Sequence, residues 1–432
     1  MSSALPSYGE AAALVAAVAA QVRTHQARTH QPRMERVELA SSAGRVLAQP
    51  IRADRDQPPF SRSTRDGFAC RAAEASTHQF LRVAGATRAG DPPAGPLIPG
   101  VAWEIMTGAP VPAGADSVIM IEHVEQAGSQ VRLLPPRKVS AGENIVAQGA
   151  QARKGDELIS AGTTITFAQI ACAAECGYSV LDVFVRPRVA ILTTGDELVS
   201  VESAPAPGQI RNSNAPMLAA LVTAAGGEPW VIPTASDNVL ALDQSLAQAA
   251  QADLLLISGG VSAGKFDLVE PALARAGAKF HFTGVRIQPG KPLVFAELPR
   301  TSAPNPQEAA QSIPVPIPVF GLPGNPISSA VTFLLFAAPM LAALAGSLQS
   351  APRFALAQLA KETDRHAKPG LTRFLPASCR FNPPAGKLLQ VRLVPWHGSG
   401  DLSALARSNC FLVIPEDAHA LETGAIVQIL LT

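Results

Sequence analysis

The stretch DLLLISGGVSAGKFD, residues 253–267, holds the densest group of residues able to meet a ligand. Leu254 to Ile257 is apolar, branched and too short for a helix, as a strand buried on both faces would be. Gly259 and Gly260 follow at once, and without a Cβ they let the backbone turn tightly and approach a bound group. Ser258 and Ser262 add hydroxyls, and Asp267 stands where the helix-like DLVEPALARAG needs an N-cap. Phosphate, pterin or metal would each fit such a turn. Glycines that merely let a helix pack on a strand give the same pattern, so the neighbouring segments have to decide.

Four of them carry chemistry. TTGDEL, residues 193–198, sets Gly195, Asp196 and Glu197 just after another strand-like run, and Asp237 in TASDN occupies the same kind of position. Glu197, Asp237 and Asp267 from separate strand ends could share one rim and hold a hard divalent cation such as Mg2+ beside a phosphate. The plainer alternative is that Asp237 and Asp267 each cap a helix. PGKP, residues 289–292, supplies Lys291, a point cation suited to an oxyanion. In GLPGNP, residues 321–326, Gly321 and Gly324 permit a tight turn, Asn325 can cap, and Pro326 suits the first helical position, leaving N–H groups for an anion. The eight histidines form no metal-ligand array in the sequence, and no nucleophile, base and orienting acid stand out.

From Arg186 onward, strand-like and helix-like segments alternate (RVAILTTG, NAPMLAALVTAAGG, PWVIPT, NVLALDQSLAQAA, DLLLIS), then KFHFTGV and PLVFAEL read as strands. This predicts an α/β region built on a parallel sheet with both faces covered, and ligands of such sheets bind beyond the carboxyl ends of the strands. Residues 52–185 are punctuated by Gly and Pro and read as mostly β with small helices. FALAQLA, TRFLPASCRF, LLQVRLVP, CFLVIP and AIVQILLT after residue 350 predict a small all-β barrel or sandwich. PRTSAPNPQEAAQSIPVPIP, residues 299–318, reads as an exposed loop or hairpin insertion.

Composition bounds the partners. Lys plus Arg is 35 against 34 for Asp plus Glu, a net charge of +1, which offers no basic field for nucleic acid or anionic lipid. Five scattered cysteines, an odd number, argue against a disulfide framework and for the cytosol; Cys172 and Cys176 read as small buried hydrophobes. AAALVAAVAA near the start lacks the basic flank of a signal peptide and reads as an opening helix. Residues 330–345 are more apolar, yet contain Thr332 and Pro339, and read as a buried, Pro-interrupted helix rather than a membrane span.

Taken together, SGGVSAGKFD, TTGDEL, PGKP and GLPGNP resemble the molybdopterin-binding domain shared by several molybdenum cofactor enzymes. RDGFA and MTGAPVP ahead of it, and HGSGDLSALARSNCFLVIP behind it, narrow the resemblance to the MoeA-type molybdopterin molybdenumtransferases, the family of the gephyrin enzyme domain. It covers about residue 8 to 432 outside the 299–318 insertion. The implied architecture is an N-terminal composite region, residues 8–185, of two intertwined subdomains; a three-layer parallel-sheet molybdopterin-binding domain, 186–349; and a C-terminal β-barrel, 350–432. The implied activity is insertion of molybdate into adenylylated molybdopterin with Mg2+ and release of AMP, by a cytoplasmic homodimer. Molybdopterin adenylyltransferase and molybdoenzyme apo-proteins are implied as further partners. By the family pattern Glu197, Asp237 and Asp267 match functional acids that hold the metal, and Lys291 the PGK lysine. Ser399 matches a C-terminal serine, and Asp66 and Thr107 match N-terminal family positions. Ser258, Gly259, Gly260, Ser262, Gly321, Pro323, Gly324 and Asn325 then fall to substrate binding.

The chain also departs from that pattern. NIVAQGAQ carries Val146 and Ala147 in place of basic residues and Ala150 and Gln151 in place of acids; Arg62 and Arg65 flank the Asp66 region, and Pro376 stands where relatives carry Arg. These departures motivate an alternative, a paralogue that carries molybdopterin or the finished cofactor to apo-enzymes without catalysis. A third reading, adenylylation of molybdopterin, is disfavoured by the flanking regions.

Overall fold

The structure is a computed structural model; it describes residues 5–29, 33–236, 238–260, 268–300, 315–363, 370–380, 382, 388–418 and 420–432. Asp237, Ser262 and Asp267 lie outside the described residues, as does most of the expected insertion. That insertion was expected to reach residue 318, but the strand Ile317–Leu322 already claims its last two residues.

The centre is a six-stranded sheet in the order Glu228–Val231, Arg188–Thr193, Leu254–Ser258, Ile317–Leu322, Val294–Leu298, Lys279–Phe282. The first four are mutually parallel. The last two run as antiparallel neighbours, so the sheet is mixed where the sequence predicts a parallel one. No helix lies between Lys279–Phe282 and Val294–Leu298, and without a crossover helix a parallel neighbour is out of reach.

Successive residues of the central strands feed opposite cores, which is why these runs are apolar throughout. Val189, Ile191, Leu254 and Leu256 face a cluster containing Leu218, Phe336 and Leu341, whereas Ala190, Leu192, Leu255 and Ile257 face one containing Leu242, Leu246 and Leu273. The helix after the first strand, Asn214–Ala224, therefore covers one face, and the helices Val239–Ala249 and Val269–Arg275 cover the other. Helices leaving adjacent strands towards opposite faces open a crevice at the strand ends, where the TTG and SGG turns lie.

The opening helix, Tyr8–Thr29, packs on this central layer: Ala11, Val15, Val18 and Val22 join the Phe336 cluster. Pro326–Leu344 is long and apolar enough to cross a membrane, but 72% of its most apolar window is buried in the protein. A π-helical turn, Phe333–Ala337, precedes Pro339 within it. The wider turn suits a residue that lacks the N–H an α-helix needs.

Ahead of the centre lies a six-stranded sheet built from Gly67–Cys70, Leu81–Thr87, Val101–Ile105, Ser117–Met120, Val124–Ala127 and Gln130–Leu133, with several two-stranded pairings around it. Behind it, Phe354–Leu359, Thr372–Arg380, Gln390–Leu393, Cys410–Ile414 and Ile426–Leu431 close into a five-stranded barrel. A dipeptide strand from the centre, Ile287–Gln288, pairs in parallel with Thr372–Arg373 of the barrel. The barrel is thereby joined edge to edge with the segment that leads into PGKP.

Candidate active site

Two turns from the α/β layer touch. In the first, Gly259 and Gly260 have φ of +98° and +62°, and a Cβ on Gly259 would stand 2.5 Å from the Thr194 carbonyl oxygen. Only glycine serves there, because both the torsion and the space exclude a side chain. Gly259 N–H donates to the Leu322 carbonyl at 3.3 Å, just before the second turn, Pro323–Asn325. Gly321 lies inside the strand Ile317–Leu322, paired to both neighbours, and not in the turn as expected from GLPGNP.

Asparagines do the tying. Asn212 donates to the hydroxyls of Thr193 at 2.8 Å and Thr234 at 3.2 Å, while its oxygen accepts from Ala215 N–H. Asn214 donates to Ser258 Oγ at 2.9 Å and to the Gly324 carbonyl at 2.6 Å. Neither stands out in the sequence, where NSN before a helix reads only as a cap. Asn325 is the N-cap residue of the next helix with Pro326 in its first turn, but its side chain makes no cap; its amide donates to Ser399 Oγ at 2.9 Å instead. Ile327 N–H, one of the N–H groups expected to await an anion, donates to the Ser399 carbonyl.

Ser399 belongs to the HGSGD loop of the barrel. Asp401 holds that loop by accepting from Ala404 N–H and His397 N–H, and these backbone bonds keep its carboxyl below the usual aspartate range. Between loop and turn opens a cleft of about 920 Å³ lined by Lys291, Arg373, Asn325, Ser328, Ser399 and Trp396, among others. Lys291 and Arg373 are the cations among its lining residues, and no carboxylate lines it among the described residues. Arg373 is 7% exposed with an unpartnered buried Nε, and burial pulls its guanidinium below its ordinary pKa. A guanidinium remains charged regardless. The PGKP loop is held down because Gly290, at φ +111°, lies against Thr332: a Cβ would be 2.6 Å from its methyl. Arg373 escaped sequence reading, since TRFLPAS reads as barrel strand and nothing local signals its place at the cleft.

Of the three acids expected on one rim, Glu197 alone lies among the described residues. Glu197 is exposed, and its carboxylate folds over Gly195, where a Cβ would lie 2.7 Å away. It does not line the cleft. The helices that follow Asp237 and Asp267 differ at their described starts: Asn238 caps Val239–Ala249 by accepting from Ala241 N–H, whereas Leu268, at the start of Val269–Arg275, makes no side-chain cap. Among the described residues no group of three or more His, Cys, Asp or Glu could hold a metal ion. Asp66 and Thr107 meet each other, Thr107 N–H and Oγ1 donating to Asp66 Oδ1 at 2.6 and 2.8 Å, and the Asp66 carboxyl is held below its usual range by those two bonds. They sit in the N-terminal sheet region and line no part of this cleft.

Family descriptions divide the chain in the same order. Residues 7–177 match the MoeA N-terminal region (domains I and II), 190–343 a probable molybdopterin binding domain, and 358–432 the MoeA C-terminal region (domain IV). A molybdopterin molybdenumtransferase of Nostoc sp. is 35% identical over 408 residues, covering 92% of this chain and 88% of that protein. The enzyme of the same name from Bacillus subtilis is 35% identical over 412 residues, covering 92% and 89%. The crystal structure of the molybdopterin biosynthesis moeA protein from Pyrococcus horikoshii superposes with a TM-score of 0.77 at 28% identity, covering 99% of this chain and all of that one. With its three regions matched in order and relatives alike along nearly their whole length, this chain belongs to the molybdopterin molybdenumtransferase family, enzymes of molybdenum cofactor biosynthesis.

Proposed function

We propose that this enzyme inserts molybdate into adenylylated molybdopterin and releases AMP in a Mg2+-dependent step, as a cytoplasmic homodimer. We further propose a division into residues 8–185, 186–349 and 350–432. One observation carries the reading of the site: a cleft that holds two cations and no carboxylate among its described lining residues opens at the Pro323–Asn325 turn, against the Gly259–Gly260 turn that only glycine can form. Molybdate is a tetrahedral dianion. Lys291 and Arg373 neutralise it there, and the Ser399 and Ser328 hydroxyls and the Asn325 amide supply hydrogen bonds to its oxygens. The Ser258–Gly260 and Pro323–Asn325 turns cradle the pterin nucleotide, whose phosphates approach the backbone closely because no Cβ intervenes.

Mg2+ fits the donor chemistry at the TTGDEL end. Glu197 offers a hard carboxylate in space that Gly195 leaves open, and Asp237 and Asp267 are proposed as its companions. When bound, the ion would neutralise charge on the phosphoanhydride. The residues of the chain hold the two substrates side by side, so that the oxyanion stands next to the pterin when AMP leaves. Asp66 and Thr107 are proposed to face the molybdopterin domain of a second copy.

The test is AMP release from adenylylated molybdopterin by pure protein. It should require both molybdate and Mg2+, and Asp267→Asn should abolish it with the fold intact, an amide being a poor Mg2+ ligand. No turnover by the wild type under these conditions would refute the reading. Tight pterin binding without AMP would favour the carrier function that Ala150 and Gln151 motivate.

A further inference from the structure

Asn214 is the first residue of the helix Asn214–Ala224, yet its side chain turns away to reach two separate turns. Its Nδ2 donates to Ser258 Oγ and to the Gly324 carbonyl. A carbonyl can only accept, so the orientation of the amide is fixed and both of its N–H groups are used. Its Oδ1 is buried and has no hydrogen-bond partner among the described residues. Asn212, two residues earlier, has the same chemistry but makes full use of it: its oxygen accepts from Ala215 N–H and its amide donates to two threonines. The open acceptor on Asn214 is thus not a property of the helix start. A second unpartnered buried atom, Thr194 Oγ1, lies under the same turn, 3.0 Å from where a Cβ of Gly259 or Gly260 would be.

Buried polar atoms are nearly always paired, so an orphan that borders a proposed ligand site points to a partner from outside the chain. Phosphate and molybdate oxygens accept and cannot fill an acceptor's need. An N–H can, and a pterin nucleotide carries such donors on its pterin ring and on the exocyclic amino group of its adenine.

We propose that Asn214 is a positioning residue of the insertion reaction: its amide clamps the Ser258–Gly260 and Pro323–Asn325 turns into one cradle, and its oxygen accepts an N–H of the pterin or adenine base of the bound pterin nucleotide. The proposal rests on the reading of those turns as the pterin-nucleotide site. Loss of the clamp loosens the cradle, whereas Lys291 and Arg373 are untouched and Asn325, which the two sites share, keeps its own tie to Ser399, so the two substrates should respond differently.

Asn214→Ala is expected to raise the KM for adenylylated molybdopterin, and its dissociation constant measured without molybdate, by tenfold or more. The KM for molybdate should stay within twofold of wild type. Asn214→Asp, which turns a charged oxygen towards the Gly324 carbonyl, should lose more. Binding of molybdopterin alone and of AMP alone identifies the ring: whichever loses affinity in Asn214→Ala carries the N–H. A variant that merely unfolds at lower urea while its folded fraction binds pterin nucleotide normally would overturn the proposal, as would equal rises in both KM values. Should Asn214→Ala fail to fold, Asn214→Ser, whose hydroxyl cannot span both turns, carries the same expectations. If wild type binds no pterin nucleotide, the cradle reading itself falls; if wild type binds and Asn214→Ala binds equally well, only the role of Asn214 falls.

Discussion

Replacing Gly259 by alanine puts the geometry of the first turn to a quantitative test. Two costs arise together. An L-residue at φ +98° sits in the left-handed region, at about 1–2 kcal/mol. The new Cβ would also stand 2.5 Å from a backbone oxygen of Thr194, which has no rotamer to yield. Reaching an ordinary contact of ~3.3 Å means parting two main-chain segments by roughly 0.8 Å, and overpacking of this kind costs about 1–3 kcal/mol. The sum is about 2–5 kcal/mol. Two controls separate the terms. Gly128, in the hairpin between Val124–Ala127 and Gln130–Leu133, has φ +59° and nothing within 4 Å of a new Cβ, so Gly128→Ala should cost only the torsion, about 1–2 kcal/mol. Gly9, in the opening helix, also has open space and carries no positive φ, so Gly9→Ala should stabilise by about 0.5–1 kcal/mol. Urea unfolding followed by tryptophan fluorescence and circular dichroism reads the order. Gly259→Ala should also lose affinity for pterin nucleotide, whereas the other two should keep it. A Gly259→Ala protein as stable as Gly128→Ala, with unchanged binding, would refute the claim that the Thr194 backbone closes off this turn.

Lys291→Met should raise the KM for molybdate by about 10–100-fold, the equivalent of losing one charge-assisted hydrogen bond of ~1.5–3 kcal/mol, with pterin-nucleotide affinity retained; initial-rate kinetics decide it, and an unchanged KM would remove Lys291 from the oxyanion site. Asp66 should titrate below the ordinary aspartate range, as followed by carboxyl carbon NMR. Because its folded pKa is depressed, its contribution to stability is present above the unfolded pKa and is lost as pH falls through the folded one. Thr107→Val removes the hydroxyl but leaves the larger contributor, the backbone N–H, so the carboxyl should return only part of the way. Burial pushes the thiols of Cys70 and Cys410 up to about 11 and about 12, so a disulfide reagent at pH 8 should modify the half-buried Cys172 first and reach those two only in denaturant.

The sequence reveals the fold wherever its physics is local. The runs VAIL and LLLI read as strands because both faces of the central sheet are dry, and the alternation with helices carried the parallel part of the layer. It misjudged the antiparallel edge, since PLVFAEL looks the same whichever way its neighbour runs. The candidate site divides along the same line. Glycine turns announce themselves by composition, so Gly259, Gly260 and Gly324 were legible. Gly321 was misplaced by one turn because a glycine in a strand and a glycine in a loop are spelt alike. Asn325 was read correctly as a helix-start residue, yet its side chain answers Ser399 across 74 positions of chain, and no local pattern encodes that partner. Arg373 was hidden for a similar reason: it belongs to a barrel strand, and only the third dimension turns it towards Lys291's cleft.

The two-residue pairing of Ile287–Gln288 with Thr372–Arg373 rivets the segment leading to Lys291 onto the very strand that bears Arg373. Both cationic walls consequently travel as a single body, and exchange of the C-terminal barrel with that of a relative would tear this seam unless residues 284–293 were transplanted with it. A chimaera cut at the linker alone should assemble but receive molybdate poorly, whereas one that carries the seam along should not.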